Sequence, residues 1–242
     1  VLPDLPPKTY STRFIEMKPK QAKQYKEMFN DMIIKTDEGE YIIATSPLTA
    51  MARLSQASCA TLSVVDGEVL MDTPSCKVDA VVELASEMGG EPFVGFAESK
   101  KLINLCAEKL RSLDYKVVLI TGDQTTEERQ FNIESFQGGR AQILLMTSAG
   151  SEGITLTAAS TLVFIQLPYS NVVYSQVSDR VHRIGSVGDR VHIIHLVSEN
   201  TVEERIIKAL DRKDEHLADL LKTSKDLARW LTCVDEPQGV LF

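Results

Sequence analysis

Two short segments carry residue types at spacings that can do chemistry. The first is Thr147-Ser-Ala-Gly-Ser-Glu-Gly-Ile-Thr-Leu156, which follows the apolar run 142–146. Gly150 and Gly153 let the backbone turn tightly and present N–H groups, and Ser148 and Ser151 add hydroxyl donors. A Gly/Ser loop leaving a parallel strand makes a good anion site. The same glycines also fit a tight strand-to-helix connection that needs their dihedral freedom. The second segment is Gln176-Val-Ser-Asp-Arg-Val-His-Arg-Ile-Gly185, which reads as a helix ending at Gly185. Gln176, Arg180 and Arg183 stand at i, i+4 and i+7 and so share one face. Arginine suits phosphate because its charge is permanent and its donors form a planar fork. The same spacing also fits a salt-bridged surface helix, with Asp179 at i−4 from Arg183 as its partner.

These segments need elements that position them. Short apolar runs recur at 92–96, 116–120, 142–146, 161–165 and 191–197, and helical patterns lie between most of them, at 98–112, 125–137 and 171–183. Strands apolar on both faces that alternate with helices make an α/β fold, a parallel sheet covered by helices on each side. Ligand loops in such sheets leave the carboxyl ends of the strands, here after Phe96, Ile120, Met146 and Ile165. Residues 1–74 have another rhythm: an extended stretch from Tyr10 to Met17, a helix from about Pro19 to Ile34, a helix after Pro47, and a hairpin at 61–71 turning on Asp66-Gly67. A long charged helix follows at 200–225, with Asn200 as its N-cap candidate. The expected units are an irregular interlobe segment at 1–74, the sheet-forming lobe at 75–225 and a tail at 226–242.

Composition narrows the class. The chain has 242 residues, 43% hydrophobic and 25% charged, with 26 Lys+Arg against 34 Asp+Glu and a formal charge of −8. That is globular composition, with no stretch approaching the roughly 20 apolar residues of a membrane span. The acidic balance excludes a protein that coats nucleic acid non-specifically. One stretch departs from it: Lys8, Arg13, Lys18, Lys20, Lys23 and Lys26 stand against Glu16 alone. Cys59, Cys76, Cys106 and Cys233 form no CxxC pair and read as reduced thiols, so an intracellular setting is expected, cytoplasmic if the source is bacterial or viral and nuclear if it is eukaryotic. His192 and His195 lie an odd number apart in a strand, point to opposite faces and cannot chelate one metal.

The Gln-x-x-Asp-Arg-x-His-Arg-Ile-Gly run resembles motif VI, and residues 147–156 motif V, of the Swi/Snf-related branch of superfamily-two helicases. Pro92-Phe-Val-Gly-Phe-Ala-Glu-Ser99 occupies the place of motif IV. Thr121-Gly-Asp-Gln-Thr-Thr-Glu-Glu-Arg129 resembles the Gly-x-(Ser/Thr)…Arg motif that follows it, and Asn200-Thr-Val-Glu-Glu-Arg-Ile-Ile207 the closing helix. Leu5-Pro-Pro-Lys8 with Gln21 and Tyr25 resembles the segment joining the family's two motor lobes. The resemblance implies a RecA-like second lobe of an ATP-driven motor on double-stranded DNA. It makes Arg180 and Arg183 arginine fingers, and sets Gln176, Asp179, Gly150 and Gly153 in the ATP cleft. Ser99, Gly122, Ser148 and Ser151 become contacts to the phosphodiester backbone. Departures concern grip: Ser148 and Ser151 stand where many relatives have Arg and Gly, Thr155 where they often have Asn, and Ser186 where Gln is usual.

No G-x-x-x-x-G-K-[ST] occurs in the sequence, so the phosphate loop is absent. Asp37-Glu38, Asp214-Glu215 and Asp235-Glu236 do not end buried strands and read as solvated charges rather than a Mg²⁺ pair. ATP and Mg²⁺ are therefore expected in a two-lobe enzyme, with an N-terminal RecA-like ATPase lobe as partner, and this chain alone is expected to be inactive. A competing reading is a binding module that kept the fold and lost catalysis; the intact arginine face speaks against it. The opening Val1-Leu-Pro, without a methionine, is expected of a piece of a longer protein. Trp230 with Leu227 and Leu231 suggests an apolar patch near the C-terminus.

Overall fold

The computed structural model describes residues 6–150, 153–183 and 189–212. In chain order these form β1 (Lys8–Ile15), α1 (Pro19–Asp31), β2 (Ile33–Lys35), β3 (Tyr41–Ile43), α2 (Pro47–Cys59), β4 (Thr61–Val65) and β5 (Glu68–Asp72). Then come α3 (Cys76–Glu87), β6 (Phe93–Phe96), α4 (Lys100–Arg111), β7 (Val117–Ile120), α5 (Thr126–Gln137), β8 (Ile143–Met146) and a 3₁₀ turn at Ser148–Gly150. The described chain closes with β9 (Thr161–Phe164), α6 (Asn171–Val181), β10 (Val191–Ser198) and α7 (Val202–Asp211).

The central sheet has six strands in the order β1-β10-β9-β6-β8-β7, every neighbouring pair parallel. Its inner strands β6, β8 and β9 are buried along their whole length, as apolar runs without alternation require. Helices α3 and α4 pack against each other, α4 covers β7 and β8, α5 packs on β7, and α6 packs on β9. Gly95 lies where β6 meets β8 most closely: a Cβ there would stand 2.6 Å from a Leu145 methyl. The helices start where their caps dictate, on Ser75, Ser99, Thr125 and Ser170, and Thr125 forms a full capping box with Glu128. The hairpin at 61–71 turns as expected, with Asp66 (φ 52°) and Gly67 (φ 78°) both in the left-handed region of a type I′ turn.

The sheet reaches beyond residues 75–199. Its outer strand is β1, from the interlobe segment, paired with β10 from Lys8↔Val191 to Ile15↔Ser198. Without β1 the long strand β10 would present an open row of backbone donors and acceptors. The basic stretch noted above is spent on this docking. Lys8 pairs with Asp179 at 2.9 Å, Arg13 with Glu87 at 2.6 Å and Lys18 with Asp79 at 2.6 Å, so the segment is tied to α3 and α6. Buried glutamines of α1 add directed bonds. Gln21 accepts from Cys76 N at 2.8 Å, and Gln24 exchanges two bonds with the Leu62 backbone at 2.7 and 2.8 Å. One apolar core accordingly runs from Tyr25 to Leu210.

Several element ends differ from expectation. Helix α1 stops at Asp31, because Met32 turns left-handed (φ 57°) into the unanticipated hairpin β2–β3. Helix α3 was not anticipated either, although Val78, Val81 and Leu84 recur at helical spacing and are buried. Helix α7 is capped by Thr201, whose hydroxyl accepts from Glu203 N, while Asn200 is left-handed (φ 57°) and donates its N–H to Glu204. Residues 213–225 of the expected long helix, Trp230 and its leucines, Cys233, and the Asp214 and Asp235 pairs lie outside the described residues.

Candidate functional site

The sequence-selected residues fall into two groups at opposite edges of the sheet. The first lies in the loops after β6, β8 and β7, which are adjacent strands. The Ser99 hydroxyl caps α4 and donates to Met71 Sδ at 3.1 Å, while Ser99 N donates to Gln166 Oε1 at 2.9 Å from the end of β9. Ser148 donates to Glu98 Oε2 at 3.1 Å. Glu98 is half-buried, and burial raises its carboxyl above the usual range against the opposing Ser148 bond. Gly122 is exposed, and a Cβ on it would meet Ala149 Cβ at 3.4 Å, so the loops after β7 and β8 nearly touch. Beside it, Gln124 Oε1 accepts from both Thr121 N and Thr121 Oγ1, at 2.5 and 3.1 Å. This end of the sheet gathers small residues and hydroxyls beside the Glu98 carboxylate. Gly150 ends the 3₁₀ turn there; Ser151 lies outside the described residues.

The second group sits on α6, which leaves the carboxyl end of β9 and runs back about 16 Å along the sheet. Its last turn therefore lies level with the starts of β1 and β10, not with the loops where ligand sites were expected. Gln176 and Arg180 share a face one turn apart, but the helix ends at Val181 and not at Gly185. The reason is tertiary: Leu156 N donates to the Arg180 carbonyl at 2.9 Å, taking an acceptor that a further turn would use. Arg183 is thus beyond the helix. It is held otherwise, with Nη1 donating to Thr155 Oγ1 at 2.6 Å and Nε to the Asp179 carbonyl at 3.3 Å. The Asp179 carboxylate is engaged by Lys8. Arg180 is half-buried, and among the described residues its enclosed Nε has no hydrogen-bond partner.

The connection 153–160 joins the two groups. Gly153 (φ 68°) turns it, Ile154, Leu156 and Ala159 anchor it in the core, and Gln137 bonds Thr157 Oγ1 at 3.2 Å and Ala158 N at 2.9 Å. Gly153 therefore lies on the path between the two groups.

Two buried pairings carried no local sequence signal. Lys77 and Glu203 are fully buried and paired at 2.6 Å, and Lys77 also donates to the Leu196 carbonyl. Glu203 accepts further from Ser198 N at 2.8 Å and Cys59 Sγ at 3.5 Å, so α2, α3, β10 and α7 meet on one ion pair. The facing Glu203 carboxylate keeps the Lys77 ammonium charged against the opposing cost of burial. Beneath α6, Tyr174 stacks on Phe164 at 4.7 Å and its hydroxyl lies 2.9 Å from His195 Nε2. Burial drives the His195 pKa down to about 4. His192, on the other face, bonds Ser11 Oγ at 2.8 Å. Among the described residues no group of three or more His, Cys, Asp or Glu side chains is placed to hold a metal ion. Asp37 is exposed and paired with Lys20 at 2.7 Å.

A RecA-like parallel sheet with an arginine-bearing helix returning across it is the architecture of a helicase C-terminal lobe, and residues 76–185 match the helicase conserved C-terminal domain. Among curated relatives, the chromatin-remodeling ATPase INO80 of Aspergillus oryzae is 34% identical over 191 residues, 70% of this chain and 13% of that protein. INO80 of Sclerotinia sclerotiorum is 32% identical over 142 residues, 57% of this chain and 8% of that protein. The chain thus spans a small part of the curated relatives it matches. Among solved structures, the C-terminal part of the Fun30 ATPase domain superposes with a TM-score of 0.69 at 19% identity, covering 90% of this chain and 97% of that one. The Sulfolobus solfataricus SWI2/SNF2 ATPase core, solved in complex with double-stranded DNA, gives 0.69 at 22% identity over 95% of this chain and 50% of that one. The chain belongs to the SWI2/SNF2 family and carries its helicase C-terminal domain.

Proposed function

We propose that this chain is the second motor lobe of an ATP-dependent translocase on double-stranded DNA, and that Arg180 and Arg183 act on ATP bound to a partner RecA-like lobe. The observation that carries this reading is the state of the two guanidiniums. They stand together at the end of α6, Arg180 one turn from Gln176 on the helix and Arg183 aimed by Thr155. An arginine reaching the transferring phosphoryl group neutralises its developing charge, an effect of about 10³–10⁵ in rate. Because the group comes from another lobe, hydrolysis depends on lobe closure, which couples chemistry to movement. Gln176 and Asp179 border the same surface. Mg²⁺ and the phosphate loop belong to the first lobe in this reading.

The row formed by Ser99, Gly122 and Ser148, with Ser151, would hold the phosphodiester backbone, and the double-stranded DNA in the Sulfolobus neighbour supports that partner. Nucleotide and nucleic acid then engage opposite edges of one sheet, linked by residues 153–160. An intracellular place, nuclear in a eukaryote, goes with this reading. The test is made in the full-length protein carrying both lobes. Arg180→Ala is expected to lower ATP turnover about 10³-fold or more while duplex binding stays within twofold. Equal loss of both activities would make the arginine structural or DNA-facing.

A further inference from the structure

Residues 6–8, the last stretch before β1, grip the arginine-bearing end of α6 on both sides of Arg180. Lys8 Nζ donates to Asp179 Oδ1 at 2.9 Å, across 171 positions of chain. The Pro6 carbonyl oxygen lies 2.7 Å from His182 Nε2; a carbonyl only accepts, so the ring nitrogen donates. Pro7 completes the anchorage, its carbonyl accepting from Val191 N at 2.9 Å. Asp179 precedes Arg180 and His182 follows two residues later, so one short stretch holds the side chains on either side of the arginine.

The sheet does not need these side-chain contacts, because the register of β1 is set by its own ladder with β10. Nor does the ion pair add much to stability: its side chains are 23% and 60% exposed, and such pairs are screened by water. Pro6 and Pro7 have fixed φ, so this stretch passes a displacement on rather than absorbing it.

We propose that Lys8 and the Pro6 carbonyl are positioning groups for Arg180: a shift of the interlobe segment moves the end of α6 that carries the arginine. This rests on the reading of Arg180 as a finger. It supplies a route by which the arrangement of the lobes reaches the arginine through the chain that joins them, besides reaching it across the cleft.

The experiment measures duplex-stimulated ATP hydrolysis in the full-length two-lobe protein, with Arg180→Ala as the reference. Lys8→Met keeps the aliphatic stem and removes the charge. It is expected to lower kcat about tenfold, since small misplacements of a catalytic group are costly, with KM for ATP and duplex affinity within twofold. Lys8→Arg is expected to retain at least a third of wild-type kcat. An unchanged kcat in Lys8→Met, a parallel loss of ATP or duplex affinity, or a Lys8→Arg variant as impaired as Lys8→Met would each overturn the inference. If Arg180→Ala itself leaves turnover intact, the finger reading fails first. If Arg180→Ala abolishes turnover while Lys8→Met does not lower it, only the positioning role fails.

Discussion

Lys77 and Glu203 show how much of this lobe depends on a pairing that no local pattern marks. Each is buried, and each would be a costly uncompensated charge without the other. Lys77→Met is therefore expected to destabilise the chain by about 3–5 kcal/mol, read from urea unfolding, because it strands the Glu203 carboxylate. Lys77→Met combined with Glu203→Leu removes both charges and is expected to recover most of that loss. A double variant as unstable as the single would mean that the pair's packing matters and its charge does not. A lysine in one helix and a glutamate in another carry no periodicity or spacing to connect them, so the pair was not legible. The run of Gln176, Asp179, Arg180, His182 and Arg183 was legible as a candidate, because it lies compactly within one segment.

Helix α6 is the element on which the proposed nucleotide chemistry turns. Its start was readable from the helical pattern at 171–183, but its end was not, because the loop carrying Leu156 takes the Arg180 carbonyl. The i, i+4, i+7 face consequently survives only as far as Arg180, and Arg183 owes its place to Thr155. Below the helix, His195 is buried against Tyr174 with a pKa of about 4, whereas an unfolded chain titrates it near 6.5. Between these values the unfolded state binds a proton that the folded state refuses. The stability from neutral His195 is thus complete above pH 6.5 and is lost as pH falls towards 4, by about 1.4 kcal/mol per pH unit. His195→Gln should flatten this part of the stability profile relative to wild type in urea titrations at pH 4.5, 5.5 and 7. Parallel profiles for the two proteins would contradict the burial argument.

At the scale of the molecule, the sheet strands were legible because β6 to β10 are short apolar runs separated by helical patterns. The sixth strand was readable only as an extended stretch, since parallel pairing with β10 is non-local and leaves no turn signal. The formal charge of −8 is better understood now that five of the six cations between Lys8 and Lys26 have carboxylate partners. In the proposed second-lobe reading, nucleic acid meets the hydroxyls and backbone of the Ser99, Gly122 and Ser148 row. That fits brief contacts from half of a clamp. The isolated chain is accordingly expected to hydrolyse no ATP above background in a coupled assay. Turnover that survives Arg180→Ala in the isolated chain would refute the second-lobe reading.

The union of β1 with β10 also bears on how the chain reaches this fold. The strands meet across more than 180 residues, so the sheet cannot be completed locally. On a ribosome, β1 emerges among the first described residues and waits without a partner until β10 has left the exit tunnel. High contact order of this kind slows folding and prolongs the exposure of strand edges. The dense charges around β1, from Lys8 to Lys26, have a second use in that interval, because charged residues beside an unpaired strand discourage pairing with other nascent chains. The ions that later fasten the segment to the lobe would first keep it apart from its neighbours.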